Sequence, residues 1–241
     1  MIKTDDFAKR YICARRSVIE RDFDFLNPEQ RRAVMTTEGP LLLLAGAGSG
    51  KTTVLINRIV NLMRYGSASD SSVIPDSACE EDIETMLAGG PEAKRIAALD
   101  PAEPWRIIAI TFTNKAAGEL KSRLERALGP EADDIWAQTL HSACVRILRR
   151  DADRLGFTRS FTIYDTADSQ SLMKHIIRDL ELDDKMFPYR AVLGIISKAK
   201  DEMQTPERFM QLARASYDNR RIKIAEIYAE YERRCREADA M

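Results

Sequence analysis

Along this chain, short apolar runs alternate with longer segments in which apolar residues recur at helical spacing. This pattern predicts strands and helices in alternation. Three short apolar runs bounded by turn residues are typical of buried strands: PLLLL at 40–44, WRIIAITF at 105–112 and DIWAQTL at 134–140. Each run precedes a stretch with helical spacing, at 51–63, 114–128 and 143–155. Strands that alternate with helices predict a parallel sheet with crossover helices on its faces, and therefore an α/β fold.

The pattern after Gly156 is mostly helical. A short strand is predicted at FTIYD, residues 161–165, and helices follow at 166–180, 189–202, 206–216 and 221–237. In the last helix one face carries Ile224, Ile227, Tyr228, Tyr231 and Cys235. We therefore predict two domains, an α/β domain at 1–155 and a helical one at 156–241.

Two further segments are predicted outside the sheet. Residues 1–25 are charged with scattered aromatics, which favours a peripheral helix, and Asn27 and Pro28 then mark the start of another helix. Residues 67–103 are rich in Ser, Ala, Asp, Gly and Pro, which predicts a surface insertion with at most two short helices, near 79–87 and 92–99.

Charge and cysteine content exclude few functional classes for this protein. The net charge is −1, but the insertion alone carries −7 and the rest of the chain +6. A basic body hints at a polyanionic partner, although ordinary solvated faces explain it equally well. The four cysteines lie far apart, which argues against a zinc site or a disulfide framework and favours a cytoplasmic protein. No apolar run reaches about 18 residues, so no membrane span is expected.

The stretch LLLLAGAGSGKTTVL, residues 41–55, carries the clearest chemistry. A glycine-rich turn between a strand and a helix lets backbone N–H groups face a phosphate, and the helix N-terminus adds further donors. The Lys51 ammonium then reaches the β- and γ-phosphates, and the Thr52 hydroxyl binds Mg²⁺. Ala45 replaces the usual first glycine. A merely flexible loop is the alternative. The predicted phosphate site comprises Ala45, Gly46, Ala47, Gly48, Ser49, Gly50, Lys51, Thr52 and Thr53.

Four segments in order carry a family resemblance: LNPEQRRAV (26–34), AGAGSGKT (45–52), AITFTNKAAGEL (109–120) and QTLHSACVRIL (138–148). Together they resemble the N-terminal motifs of superfamily 1 DNA helicases of the UvrD/PcrA/Rep type. The resemblance implies a RecA-like P-loop NTPase sheet followed by a DNA-guiding helical subdomain. It also implies an ATP-dependent 3′→5′ DNA helicase of repair or replication, which uses ATP and Mg²⁺ and acts on single-stranded DNA and single-strand/double-strand junctions.

The resemblance implies a role for individual residues. Gln30 would bind the adenine edge, Lys51 would serve catalysis at the γ-phosphate and Thr52 would hold Mg²⁺. Single-stranded DNA would contact Phe112, Thr113, Asn114, Thr139, His141 and Ser142. From the residues alone, Gln30 could be a solvated helix residue, Phe112 a core aromatic and His141 a structural histidine. Lys115 and Arg123 are expected on a solvated helix face.

The chain also departs from the family pattern. Thr53 stands where family members carry an arginine that stacks on adenine, and Leu140 replaces an aromatic residue. The acidic insertion is expected to lie away from the DNA, because it would repel phosphate.

ATP hydrolysis needs a carboxylate that holds Mg²⁺. No apolar strand predicted here ends in Asp-Glu. The segment DLELDD (179–184) has carboxylates, but the apolar residues before it follow a helical pattern. We therefore expect an N-terminal part that lacks turnover by itself, with its second motor domain in the remainder of the same helicase chain. The alternatives are a complete, non-catalytic module that binds nucleotide and single-stranded DNA, or a small-molecule P-loop kinase. The hypothesis of a kinase does not account for the segment TFTNKAA, residues 111–117.

Overall fold

A computed structural model describes residues 5–46 and 48–241, which form two compact units, Met1–Ala143 and Cys144–Met241. Each unit has its own hydrophobic core, and each is described separately below. The units divide inside a helix, whereas the sequence predicted the change of domain after residue 155. No helix in the described ranges has both the length and the apolarity that a membrane span requires.

The elements of unit 1 follow the predicted alternation in its second half. The helices are α1 (Asp5–Asp22), α2 (Pro28–Met35), α3 (Lys51–Tyr65), α4 (Glu80–Ala88), α5 (Pro91–Ala97), α6 (Asn114–Leu128) and the start of α7 (Leu140–Asp151). The strands are β1 (Ile108–Thr111) and β2 (Trp136–Thr139). The two strands pair in parallel, from Ile108 opposite Trp136 to Thr111 opposite Thr139. Helix α6 is the crossover between them, as the sequence predicted.

Caps in the sequence explain where α2 and α6 begin. The Asn27 side chain accepts a hydrogen bond from the Gln30 N–H at 2.9 Å, and Thr113 accepts one from the Ala116 N–H at 3.2 Å. Both bonds satisfy N–H groups that the first turn of a helix leaves free. Helix α6 then buries Leu120 and Leu124 in the core of unit 1.

The predicted strand at 40–44 is wrong. The structure has no strand there, and the Leu42 and Leu44 side chains are 79% and 87% exposed. An apolar run shows that a segment can be buried, but it does not show that a strand forms. A strand also needs a neighbouring sheet edge for its backbone hydrogen bonds. The described sheet has only β1 and β2, and neither pairs with this run. The coarser result is a mixed α/β unit with a small parallel sheet.

Helix α1 and the insertion are both core elements, which corrects their expected peripheral position. Helix α1 buries six residues, and the two helices of the insertion, α4 and α5, bury Ile83, Met86, Ala93 and Ala97 in the same core cluster. The predicted positions of both insertion helices are confirmed. Arg15, 1% exposed, donates from Nη1 to the Val73 carbonyl at 2.7 Å and from Nη2 to the Ser71 carbonyl. Because a buried guanidinium needs such acceptors, α1 and the insertion hold each other in place.

The two ends of the insertion meet at the end of α3. The Ser67 N–H donates to the Leu99 carbonyl and the Leu99 N–H donates to the Tyr65 carbonyl, both at 3.0 Å. Gly66 lies between these bonds with φ +61°. The insertion is therefore closed at its base by backbone hydrogen bonds.

A polar cluster around Asp22 joins α1, α3 and α5. The Asp22 carboxylate accepts hydrogen bonds from Lys94 Nζ at 2.6 Å and from the Tyr65 hydroxyl at 2.7 Å, and Arg64 lies 3.8 Å away. Burial alone would raise the pKa of the Asp22 carboxyl, but these hydrogen bonds and the two cations outweigh burial and hold the pKa below its ordinary value. The ionised form is therefore favoured by folding.

We expect Asp22→Asn to lower the free energy of unfolding by about 1–3 kcal/mol at pH 7, because hydrogen bonds to the charged group are lost. A depressed pKa stabilises the fold above the unfolded-state pKa, and this contribution disappears as the pH falls through the lower folded-state pKa. Urea unfolding of both proteins at pH 7 and pH 2.5 measures this. The difference between them should shrink in acid, and a constant difference would contradict the assigned ion pair.

Unit 2 is helical, as predicted. After the remainder of α7 it contains α8 (Thr166–Asp179), α9 (Tyr189–Asp201), α10 (Pro206–Ala215) and α11 (Asn219–Glu237). The predicted apolar face of α11 is buried, together with Met173, Ile176 and Ile177 of α8. The predicted strand at 161–165 is reduced to one bridge, between Thr162 and Ala240.

Candidate functional site

The loop before α3 is shaped by its glycines and folds around Lys51. Gly48 and Gly50 have φ of +77° and +83°, a backbone conformation that side chains disfavour. Lys51 Nζ donates to the carbonyls of Ala45 and Gly46, at 3.0 and 2.5 Å. The Ser49 hydroxyl donates to the Gly46 carbonyl at 2.8 Å. The loop therefore gathers its backbone around an ammonium group. Ala47, which the sequence placed in this site, lies outside the described residues.

The start of α3 suits a phosphate group. Gly50 is the N-cap and offers no side-chain hydrogen bond to the first turn, so the helix N–H groups stay available to a ligand. Lys51 and Thr52 are exposed and Thr53 is half-buried. Among the described residues, no cluster of His, Cys, Asp and Glu could hold a metal ion. The exposed Thr52 carries a hydroxyl, an oxygen donor of the kind that Mg²⁺ binds.

Gln30 connects α2 to the phosphate loop. Its Oε1 accepts a hydrogen bond from the Asn27 N–H at 3.3 Å, and its Nε2 donates to the Ser49 carbonyl at 3.0 Å. A Cβ on Gly50 would lie 2.7 Å from the same Nε2, so the loop approaches this amide closely. Gln30 is therefore held at the loop and is not a freely solvated helix residue.

A cavity of about 340 Å³ lies between α2 and the loop. Its lining combines the polar atoms above with an apolar wall from Ala33, Leu43, Leu44 and Val54. Apolar walls with a few placed polar groups are typical of small-molecule sites. The sequence patterns had assigned the two leucines to a buried strand, so their place in this wall was missed. Leu43 and Leu44 come directly before the glycine-rich loop in the sequence, and this position was the signal that could have assigned them to the wall.

The second group of predicted residues lies at the carboxyl ends of β1 and β2. Because Thr111 pairs with Thr139, the segments Phe112–Asn114 and Leu140–Ser142 begin side by side at one edge of the sheet. Phe112 is 102% exposed, which excludes its alternative role as a core aromatic, and Leu140 is 53% exposed. Two exposed apolar side chains at a strand edge form a surface suited to flat, apolar groups.

The polar residues of this edge divide into positioning and exposed groups. Thr139 is buried, and its Oγ1 lies 2.9 Å from Ser142 Oγ and accepts the Ser142 N–H at 3.3 Å. Thr113 caps α6, as described above. His141, Ser142 and Asn114 are exposed. Arg123 pairs with Glu119 on α6, as expected of a solvated helix face.

Most of the chain matches one protein family. The family model described as the UvrD/REP helicase N-terminal domain matches residues 26–75 and 93–241. These ranges contain both groups of site residues, and the chain belongs to the UvrD/REP helicase family.

Several relatives carry the name ATP-dependent DNA helicase PcrA. The chain is 47% identical over 209 residues to that of Bacillus subtilis (strain 168), which covers 87% of this chain and 23% of the relative. It is 41% identical over 216 residues to that of Staphylococcus epidermidis, and the alignment covers 90% of this chain and 25% of the relative. For Staphylococcus aureus (strain Mu50) the identity is 39% over 216 residues, which cover 90% of this chain and 24% of the relative. The chain spans about a quarter of the length of these relatives.

Proposed function

We propose that unit 1 binds ATP with Mg²⁺ at the loop before α3 and single-stranded DNA at the carboxyl ends of β1 and β2. We further propose that it does so as part of an ATP-dependent 3′→5′ DNA helicase. The name of the relatives, ATP-dependent DNA helicase, supports the activity. The observation that carries the proposal is the hydrogen bond from Gln30 Nε2 to the Ser49 carbonyl. It places an amide able to pair with adenine beside a loop able to hold phosphates.

In this proposal each residue of the loop has a distinct task. Lys51 exchanges the carbonyls of Ala45 and Gly46 for the β- and γ-phosphates, as a point charge. Backbone N–H groups of Gly48, Gly50, Lys51 and Thr52 surround the phosphates, and the Thr52 hydroxyl would bind Mg²⁺. The metal, when bound, neutralises charge that develops on the phosphates. Gln30 donates to and accepts from the adenine edge, while Leu43, Leu44 and Val54 give the base an apolar wall.

The DNA proposal rests on the exposed edge of the sheet. Phe112 stacks on a base, while Thr113, Asn114, Thr139, His141 and Ser142 contact or position the DNA backbone. Stacking on an aromatic ring tolerates any base, as a translocating enzyme requires. The helical part at 156–241 guides DNA near a single-strand/double-strand junction. We place the protein in the cytoplasm, where its four free cysteines stay reduced.

The proposal assigns turnover to more than this chain. A carboxylate that holds Mg²⁺, an arginine finger and a second motor domain would come from the remainder of the helicase, since the chain spans about a quarter of its relatives. This chain by itself is then expected to bind nucleotide without hydrolysing it.

Phe112→Ala is expected to weaken binding of single-stranded DNA about fivefold to a hundredfold, because one base loses its stacking surface. Fluorescence anisotropy with a labelled oligothymidine measures the change. The variant should keep its stability, since the Phe112 side chain touches no core.

Phe25→Ala is the matched control. Phe25 is also a largely exposed phenylalanine of unit 1, but it lies outside the proposed DNA edge. The control should bind like the parent chain. Equal affinity of the parent chain and Phe112→Ala would remove Phe112 from the DNA site.

A further inference from the structure

Two segments of this chain lie outside the family match, residues 1–25 and 76–92. In the structure they pack on each other as α1 and α4. Arg10 pairs with both oxygens of Glu80, at 3.1 and 2.7 Å, and Tyr11, Val18, Ile83 and Met86 share one core cluster. The two segments therefore pack together in a part of unit 1 that the family match does not include.

A second cavity in unit 1 borders helix α1. About 390 Å³ of space lies between α1, α2 and the turn at Ser69 and Asp70. Arg16 comes from helix α1, while Arg31 and Arg32 come from α2. Helix α2 thus borders both cavities, since Gln30 and Ala33 line the one beside the phosphate loop.

The three guanidinium groups have few partners of their own. Arg16 Nε donates to the Ser69 carbonyl at 3.1 Å. Among the described residues Arg31 has no side-chain hydrogen bond or ion pair. Arg32 lies 3.8 Å from Glu29, but both side chains are more than 80% exposed, so that pair contributes little.

The two carboxylates of the cavity, Asp70 and Glu20, balance only part of these charges. The Asp70 carboxylate already accepts hydrogen bonds from the Thr37 N–H at 2.9 Å, the Thr37 hydroxyl and the Glu38 N–H at 3.4 Å. Glu20 is the other carboxylate in the lining. The donors to Asp70 are neutral and leave its carboxylate charged, so three arginines against two carboxylates give an excess of one positive charge. Arg31, which has no side-chain hydrogen bond or ion pair in the described chain, favours an anion in this cavity.

We propose that this cavity binds phosphate groups, either those of a nucleic-acid backbone or those of a free polyphosphate. Guanidinium groups match phosphate oxygens with two parallel N–H donors. The lining has no aromatic ring, and its apolar part is limited to Pro28 and Met35, so it suits a charged group better than a base. This site is separate from the phosphate loop proposed above and involves residues that the family match leaves out.

The first test is calorimetric titration with tripolyphosphate. Lys51→Ala serves as the background, because it removes competition from the phosphate loop. Added Arg16→Gln and Arg31→Gln should weaken the remaining site about tenfold, since charge-assisted hydrogen bonds are lost. Arg95→Gln with Arg126→Gln removes two exposed arginines elsewhere in unit 1 and should change nothing.

A second variant guards against a folding defect. Arg31→Gln alone breaks no side-chain hydrogen bond or ion pair of the described chain, and it should still weaken binding about fivefold. Absence of tripolyphosphate binding in the Lys51→Ala background, or equal binding by Arg31→Gln, would overturn the proposal. Loss of ATP binding at the phosphate loop would leave this result unaffected, so the two proposals fail separately.

The source of the phosphate is read from a labelled single-stranded oligonucleotide. If the cavity holds a nucleic-acid backbone, Arg16→Gln with Arg31→Gln should lower the slope of log affinity against log salt by about 1.4, at roughly 0.7 per lost phosphate contact. An unchanged slope, with weakened tripolyphosphate binding, supports a free polyphosphate as the ligand. No response to either ligand would contradict the site.

Discussion

Gly66→Ala is expected to destabilise unit 1 by about 3–5 kcal/mol, the largest stability effect that we predict. A Cβ at this position would lie 2.0 Å from the Leu99 carbonyl oxygen and 2.2 Å from that of Asp100. Both atoms are backbone, and the Leu99 carbonyl also accepts the Ser67 N–H that closes the insertion. The clash can therefore be relieved only by opening the base of the insertion. Urea unfolding at pH 7 measures the loss.

Gly129→Ala separates the clash from backbone strain. Gly129 has φ +72° and ψ −150°, close to the +61° and −131° of Gly66, but a Cβ there would meet no atom within 4 Å. This control should lose only the cost of the unfavourable backbone conformation, about 1–3 kcal/mol. Equal losses in the two variants would show that the insertion is not held at Gly66.

Lys51→Ala is expected to weaken ATP binding about tenfold to a hundredfold, because the ammonium group that faces the phosphates is lost. In a full-length helicase, turnover should fall by about two to three orders of magnitude, since the charge also stabilises the transition state. Affinity for single-stranded DNA should change little. Titration with a fluorescent ATP analogue in the presence of Mg²⁺ measures the affinity.

Lys121→Ala is the matched control, because Lys121 is a lysine of unit 1 in exposed ion pairs with Glu125 and Asp133. It should bind ATP like the parent chain. Thermal unfolding shows whether loss of the Lys51 hydrogen bonds to the loop carbonyls changes the fold. A folded Lys51→Ala protein with unchanged affinity would remove Lys51 from the nucleotide site.

Local signals predicted much of the fold. Period and capping residues located α2, α6 and the helices of unit 2, and the two predicted strands at 105–112 and 134–140 contain β1 and β2. The glycines before Lys51 predicted a turn at the start of a helix, and in the structure Gly48 and Gly50 adopt positive φ there. These features depend on neighbours in sequence, so a pattern in the chain can predict them.

Long-range partners account for what the sequence missed. The leucines at 41–44 are as apolar as a buried strand, but exposure depends on whether another strand lies beside them. The insertion has the composition of a surface loop, yet Arg15 of α1 ties it down through the carbonyls of Ser71 and Val73. The link between Gln30 and Ser49 joins residues far apart in sequence, so its geometry required the structure.

The most direct test of the central claim is a backbone amide map of the isotopically labelled chain, recorded by NMR with and without ATP and Mg²⁺. The largest shift changes should fall on residues 45–53 and on Gln30. Shift changes confined to Cys144–Met241, or none at millimolar ATP, would contradict a nucleotide site at the start of α3.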